Sequence, residues 1–287
     1  MESATAVLLR GLADDAGLLP PAQLTMPAAL DRHRSDQARG HPMLTNRLLC
    51  PLSRWRELQS CLLEIDRIDV GVILDTDDGR AGMVDIADAR VRLTHYEARA
   101  SAVDAGQAVR FLRKTRGQPH SAQSALPVYL ELDHTGDWPA TVAQLSGASP
   151  LGVTLRCDGP PTASESPLPS DRDVADFVAA CVAHSVPFRA VAASRCAARY
   201  TDPATREVWH GYLNLLLATA VAVAGGDTAE VAHALAIDDA AQLALRLRKL
   251  DKSVAVRVRQ LFAGYGACDT HQPVYEAQRL GMAETIT

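Results

Sequence analysis

The sequence contains very little lysine. Of its 29 basic residues, only Lys114, Lys249 and Lys252 are lysines, and all three fall in segments with helical patterning. An enzyme that forms a Schiff base on a barrel strand needs a lysine amine there. The sequence therefore excludes imine chemistry of the aldolase or pyridoxal phosphate kind from the strands predicted below.

The motifs of several common cofactor and catalytic sites are also missing. There is no G-x-G-x-x-G, no G-x-x-x-x-G-K-[ST] and no G-x-S-x-G. These absences disfavour dinucleotide binding, P-loop nucleotide binding and an α/β-hydrolase nucleophile. The six cysteines include no C-x-x-C pair and no zinc spacing. We predict no organic cofactor and leave a divalent metal as an alternative.

Strong charge of one sign and long apolar runs are lacking as well. The net charge is −5 without a basic patch, which predicts no nucleic-acid partner. The longest apolar run starts at Tyr212, is too short to cross a bilayer and contains Asn214, which predicts no membrane partner. The opening residues MESATAVLL lack the basic start of an export signal. We expect a cytoplasmic protein with a small-molecule substrate, and leave a homo-oligomer open.

Short apolar segments with strand character recur along the chain, and helical patterns fill most of the gaps between them. One such helix, at 171–184, has a cap at Ser170 and Asp173 at the capping-box distance. This alternation predicts βαβ units and a parallel sheet. The predicted strands lie at roughly 10–18, 46–51, 69–75, 90–97, 127–133, 151–157, 187–192 and 258–266.

The number of strands and the chain length together define the fold class. An eight-unit α/β barrel needs roughly 250 residues, and the chain has 287. We therefore predict an α/β fold, a single (βα)8 TIM-barrel-like domain over residues 1–287. Residues 203–250 look wholly helical, in three pieces, and form an insertion before the last strand.

Polar side chains alternate with apolar ones in two neighbouring strands, LPVYLELD and LGVTLRCDG. Strands covered by helices are apolar on the helix side. Glu131, Asp133, Arg156 and Asp158 should then face the lumen at the carboxyl ends, where barrels bind ligands. Arg189 on the next strand should join them. The alternative is a salt-bridge layer that satisfies itself inside the barrel.

This set of acids and arginines suggests acid–base chemistry on an anionic substrate. A carboxylate with a raised pKa can exchange protons with a substrate, so Glu131 or Asp133 is the first candidate for the catalytic acid or base, with Asp158 next. Arg156 and Arg189 would hold the substrate anion. His95 and Glu97, two residues apart on one strand face, could add a metal ligand.

Further candidates lie outside these strands. Asp14 and Asp15 could bind a cation or a substrate hydroxyl, or cap the next turn. His210 and Asn214, one helical turn apart, could be a proton shuttle with its partner or a satisfied core pair.

The loops after strands seven and eight often bind phosphate in barrels. Arg195 follows strand seven, and Gly266 in strand eight would let a ligand approach the backbone. Alternatively, the arginine is part of a solvated loop and the glycine relieves crowding inside the barrel.

Three longer segments resemble an uncharacterised bacterial, actinobacterial-like family of β/α-barrel proteins. They are GLADDAGLLPP with TMPAALDRHR, PFRAVAASRCAARY with HGYLNLLLA, and LFAGYGACDTHQPVYEAQRLGM, and they extend the likeness over most of the chain. The family pattern has a double Asp before Gly-Leu-x-Pro-Pro, a Lys on strands six and seven, a His-His pair after strand seven, and Gly-x-Cys in the last strand. The positions kept here are Asp14, Asp15, Pro20, Pro21, His210, Gly211, Asn214, Gly266 and Cys268.

The departures from that pattern fall where chemistry would be expected. Thr154 and Arg189 stand at the lysine positions, and Arg195 and Cys196 stand where the histidine pair would be. The resemblance thus implies a divergent member with altered chemistry or none.

Taken together, these features predict a cofactor-independent lyase, isomerase or cyclase that acts on a small polar or anionic metabolite. One alternative is a barrel that binds a metabolite or a protein without catalysis. Another is a metal-dependent hydrolase or lyase.

Overall fold

Parallel strands closed into a barrel, with helices around it, form the framework of the protein. In the described part of the chain, eight strands close the barrel, which confirms the predicted α/β, TIM-barrel-like fold. The structure is a computed structural model and describes residues 2–75, 88–100, 104–106, 126–132, 137–157, 169–191, 196–204, 206 and 208–283.

Neighbouring barrel strands pair in parallel, in the spatial order β1-β10-β7-β6-β5-β4-β3-β2. A small antiparallel hairpin, β8 with β9, interrupts the sequence before the last barrel strand. The strands are β1 Ala13–Asp15, β2 Leu44–Pro51, β3 Ile68–Leu74, β4 Val91–Ala100, β5 Val128–Leu132, β6 Leu151–Arg156, β7 Phe188–Val191, β8 Tyr200–Thr201, β9 Val208–Trp209 and β10 Phe262–Ala267.

Helices alternate with these strands along much of the chain. Ser170 and Asp173 form the predicted capping box at the start of the helix that follows β6. Residues 104–106, between β4 and β5, are also helical, and their neighbours on both sides lie outside the described residues. The helices are α1 Ala4–Leu9, α2 Met26–Arg39, α3 Trp55–Cys61, α4 Trp138–Gln144, α5 Asp171–His184, α6 Tyr212–Val223, α7 Thr228–Leu235, α8 Ala240–Arg248, α9 Lys252–Leu261 and α10 His271–Arg279.

Two predicted boundaries in the insertion region were wrong. The first helix was expected from residue 203, but the hairpin occupies that stretch and α6 begins only after Gly211. At Gly211 a Cβ would lie 2.2 Å from the carbonyl oxygen of Ala197, so the close approach of two backbones fixes this start. The last strand was expected from residue 258, but α9 continues to Leu261 because its apolar residues recur at helical spacing.

The barrel wall separates apolar from polar side chains as predicted. Leu130 and Leu132 of β5, with Val153 and Leu155 of β6, belong to the large hydrophobic core shared with the outer helices. The alternate residues of both strands therefore face the lumen. Tyr129 is among these lumen residues.

Two glycines make room for large side chains inside the barrel. A Cβ at Gly71 on β3 would lie 2.3 Å from Cε1 of His95 on β4. A Cβ at Gly152 on β6 would lie 2.7 Å from the ring of Tyr129 on β5. The missing side chains thus let an imidazole and a phenol ring occupy the lumen.

Arg259 braces the amino-terminal end of the barrel. Its guanidinium donates to the carbonyl of Phe262, the first residue of β10, at 2.6 Å and to the carbonyl of Gly11, two residues before β1, at 2.8 Å. The candidate site described below lies at the other end. Among the helices described, none combines the length and the apolar character that crossing a bilayer would require.

Candidate functional site

Glu131 and Arg156 form a bidentate ion pair at the carboxyl ends of β5 and β6. Arg156 donates from Nε to Oε1 at 2.9 Å and from Nη2 to Oε2 at 3.0 Å. Arg99, near the end of β4, places Nε 3.4 Å from Oε1 of the same carboxylate. Glu131 is 18% exposed and Arg156 31%. The structure thus brings together two predicted site residues and adds Arg99, while Asp133 and Asp158 lie outside the described residues.

The fork geometry of this pair determines what it can bind. A guanidinium presents parallel N–H donors that match the two oxygens of a carboxylate or a phosphate. Glu131 occupies that fork, so a substrate anion that binds Arg156 competes with a carboxylate of the protein itself. Anion binding and release of Glu131 are therefore linked at this position.

Arg189 occupies the lumen as part of a separate buried ionic cluster. It donates from Nε to Oε1 of Glu97 at 2.9 Å and from Nη2 to Oδ2 of Asp14. Its side chain is 1% exposed. Arg189 was predicted to act beside Arg156, but its ion pairs are with carboxylates from β1 and β4. Two buried acids need a cation in this low-dielectric interior, which accounts for this placement.

Four further side chains complete this cluster. Thr45 and Arg47 of β2 both donate to Asp14. Arg189 lies over the ring of Tyr129, 5.4 Å from its centroid. His95 contacts the same ring edge-on, with centroids 5.7 Å apart. We call the set the lumen cluster; its members are Asp14, Thr45, Arg47, His95, Glu97, Tyr129 and Arg189.

The histidine of the lumen cluster is held by both ring nitrogens. Nε2 lies 3.0 Å from Oε1 of Glu97, and Nδ1 lies 3.0 Å from Oγ1 of Thr94. This confirms that His95 and Glu97, two residues apart, share one strand face.

The protonation states in the lumen cluster depend on burial, which favours the neutral form of each side chain, and on the neighbouring charges. Burial alone would raise the pKa of Asp14, but Arg189 and Arg47 outweigh it and hold that pKa at about 2. Burial likewise opposes ionisation of Glu97, yet Arg189 and His95 lower its pKa below the usual value. Burial, reinforced by Arg189, lowers the pKa of His95. Near neutral pH the cluster holds two carboxylates, two guanidiniums and a neutral imidazole.

Asp15 points away from Asp14 and toward α2. Its carboxylate accepts bonds from Arg32 and from the backbone N–H of Gly17, the latter at 2.9 Å. Burial would raise its pKa, but His33 and Arg32 lower it. Arg32 also donates to the carbonyl of Cys268 at 2.7 Å. Asp15 therefore ties the carboxyl ends of β1 and β10 to α2.

Asn214 bonds four backbone groups. Its Nδ2 shares two N–H donors among the carbonyls of Ala234, Leu235 and Ile237, at 3.1, 3.1 and 2.7 Å, and its Oδ1 accepts from the N–H of Arg199 at 2.7 Å. These bonds fasten the carboxyl-terminal end of α7 and the turn after it to the segment before β8. We therefore assign Asn214 a structural role and leave it out of the proposed site.

Gly266, predicted to let a ligand approach, faces the apolar side chains of Leu49 and Ala16. A Cβ there would lie 3.1 Å and 3.2 Å from them. The glycine thus relieves crowding next to β1. Arg195, the other residue proposed for an anion pocket after strand seven, lies outside the described residues.

His210 lies before α6, not within it, so the predicted one-turn spacing to Asn214 on a shared helix was wrong. The imidazole is buried, with Nδ1 3.7 Å from Oδ1 of Asp171 at the start of α5. Arg199 approaches the same Oδ1 with Nε at 3.4 Å. Burial lowers the pKa of His210 and Arg199 adds to that shift, while Asp171 and the nearby backbone of Pro169 oppose it.

Sequence reasoning missed Arg47, Thr45 and Asp171. Arg47 and Thr45 contact Asp14 across more than thirty residues of chain, so no local pattern links them. The sequence around Asp171 indicated only that a helix begins there. Within the described residues there is no group of three or more His, Cys, Asp or Glu side chains arranged to hold a metal ion.

Comparison with family models, curated proteins and solved structures gives no match for this chain. The family resemblance stays a prediction.

Proposed function

We propose that the protein is a cofactor-independent acid–base enzyme, a lyase, isomerase or cyclase, that acts on a small anionic metabolite in the cytoplasm. The observation that carries the proposal is the Glu131–Arg156 pair. It lies at the carboxyl ends of adjacent strands, faces the lumen and is partly exposed. That end of a β/α-barrel is where substrates bind.

The pair supplies both parts of such a mechanism. A carboxylate or phosphate of the substrate takes the fork of Arg156 and displaces Glu131 from it. The freed carboxylate then accepts a proton from the substrate, or returns one, at a distance set by the bound anion. Arg99 stays within reach of Glu131 and limits how far the displaced side chain moves.

The lumen cluster supports this site from below. Asp14, Glu97 and Arg189 are buried and joined across the barrel, which gives β5 and β6 a rigid polar floor. Catalysis depends on holding reacting groups within fractions of an ångström. In this proposal the cluster positions strands and does not touch the substrate.

The test begins with a thermal-shift screen of small carboxylates and phosphate esters, followed by product analysis of each hit. Glu131→Gln should keep affinity within about tenfold while reducing turnover by roughly 10² or more. Arg156→Ala should weaken binding by about 1.5–3 kcal/mol. Arg92→Ala, which breaks an exposed pair with Asp69 on β3, is the matched control and should change neither. Turnover unchanged in Glu131→Gln would remove that residue from the mechanism.

A second candidate function is a barrel that binds an anionic metabolite without changing it. It is favoured by the pairing of Asp14 and Glu97 with Arg189, and of Glu131 with Arg156, because such pairing serves stability as well as it serves chemistry. Tight binding of a screened ligand that is recovered chemically unchanged, with and without added divalent metal, would favour this function over the first.

A further inference from the structure

His210 lies at the same end of the barrel as the Glu131–Arg156 pair. Helices of a β/α-barrel run back along the wall, so their first turns lie beside the carboxyl ends of the strands. Asp171 is the first residue of α5, which follows β6, and His210 lies between the β8–β9 hairpin, which follows β7, and the start of α6. β6 carries Arg156 and is the hydrogen-bonded neighbour of both β5 and β7.

The imidazole of His210 is buried, yet it differs from a satisfied core histidine. The side chain is 2% exposed, and neither ring nitrogen makes a hydrogen bond of normal geometry with the described residues, although the backbone of Pro169 lies near enough to raise the pKa of the ring. Buried polar atoms of this kind need a reason. His95, by contrast, bonds through both nitrogens to Glu97 and Thr94.

We propose that His210 is a second acid–base residue of this site, positioned by Asp171 and reacting through Nε2. The inference rests on the proposed function and gives it a second proton-transfer group. The approach of Asp171 to Nδ1 favours a proton on that nitrogen, which leaves the lone pair of Nε2 for the substrate. Nε2 accepts the proton that leaves the substrate, while the electron pair of the broken bond stays on the substrate. The proton then returns to the product or to the leaving group.

The charges that face His210 fit this role. Among the described residues they are Asp171 and Arg199, and burial is the largest influence on the ring. Their balance lowers the pKa of His210, so the imidazole is neutral near pH 7 and ready to accept a proton. An anion bound at Arg156 would favour the imidazolium and so promote the transfer.

The experiment uses inorganic sulfate as the probe, because its charge is constant over the pH range in which histidine titrates. The pKa of His210 is followed by NMR of imidazole-labelled protein from about pH 4 to about pH 8, with His210→Gln identifying its signals. Sulfate binding is measured separately by calorimetry. Saturating sulfate should raise the pKa of His210 by about one unit in the wild type. In Arg156→Ala both the binding and the pKa rise should be lost.

His41 is the internal control, because it is a buried histidine that precedes β2 at the amino-terminal end of the barrel. Its pKa should not respond to sulfate. Asp171→Asn should lower the pKa of His210 further while sulfate affinity stays unchanged. An unchanged pKa in that variant would overturn the positioning role of Asp171.

The two remaining outcomes separate this inference from the proposed function. If sulfate binds through Arg156 and the pKa of His210 does not move, the anion clamp stands and the role of His210 is overturned. If sulfate does not bind in the calorimeter, the clamp itself is overturned, and the inference that rests on it falls as well.

Discussion

Arg189 on β7 and Glu97 on β4 meet across the barrel lumen, with Nε 2.9 Å from Oε1. Two strands, β5 and β6, separate them along the wall. The same guanidinium donates to Asp14 on β1. One side chain therefore connects three strands that are distant along the chain.

Replacing Arg189 with methionine should destabilise the protein strongly. The variant keeps an unbranched side chain but leaves Asp14 and Glu97 buried without this cation, which typically costs about 3–5 kcal/mol. Urea unfolding gives the free energy of unfolding directly. The matched control is Arg92→Met, since the Arg92–Asp69 pair is largely exposed and should contribute about 0–1 kcal/mol. Similar losses in both variants would contradict the role of Arg189.

Acid should destabilise the protein through the lumen cluster. The pKa of Asp14 is about 2 in the folded protein against a usual 3.8, and the pKa of Glu97 is also lowered. Lowered pKa values stabilise the folded state above the unfolded pKa, and that contribution is lost as the pH falls through the folded value. Asp14 alone should account for about 2 kcal/mol.

Urea midpoints measured from pH 6 downward check this prediction. Asp14→Asn should be less stable at pH 6 and should lose less stability on acidification than the wild type does. Asp238→Asn, a change at an exposed carboxylate, is the control and should follow the wild-type profile.

Gly71→Ala should overpack the lumen. Its new Cβ would lie 2.3 Å from Cε1 of His95 and 2.8 Å from Cδ2 of Leu49, and such overpacking costs about 1–3 kcal/mol. The same substitution made in a His95→Ala background should cost less, because the nearest obstructing atom is gone. A double-mutant cycle on the free energy of unfolding measures this coupling; strictly additive costs would argue against the contact.

Asn214→Leu should cost about 3 kcal/mol, since it leaves three carbonyls and one N–H without their buried partner. Chemical denaturation compares it with Gln242→Ala, a change at an exposed position on α8 that should be nearly neutral. A loss no larger than that of the control would mean that these four bonds contribute little.

The sequence was sufficient to predict the barrel, because each strand carries its own signal. The alternation in β5 and β6 correctly assigned Glu131 and Arg156 to the lumen side, and their proximity followed from the adjacency of consecutive strands. Boundaries were less predictable where tertiary contacts decide them. Helix α6 begins after Gly211 because the backbone there lies against the backbone of Ala197. The local sequence pattern gives no sign of that contact.

The partners of Arg189 could not be predicted from local pattern. Asp14 lies 175 residues away and Glu97 lies 92 residues away, and which lumen residues meet depends on strand tilt and register. A salt-bridge layer inside the barrel was the alternative interpretation of the sequence, and for Arg189 the lumen cluster is such a layer. The sequence predicted that His95 and Glu97 share a strand face, but not that Glu97 pairs with Arg189 across the lumen.

The lumen cluster also constrains how the barrel can assemble. The first half, β1 to β4, supplies Asp14 and Glu97, and the second half supplies Arg189. A first half that closed alone would lack the cation that joins Asp14 to Glu97, and a second half alone would bury Arg189 without either carboxylate. The two halves therefore gain their stability together, and the barrel should fold as one cooperative unit that cannot be cut between β4 and β5 into two stable fragments.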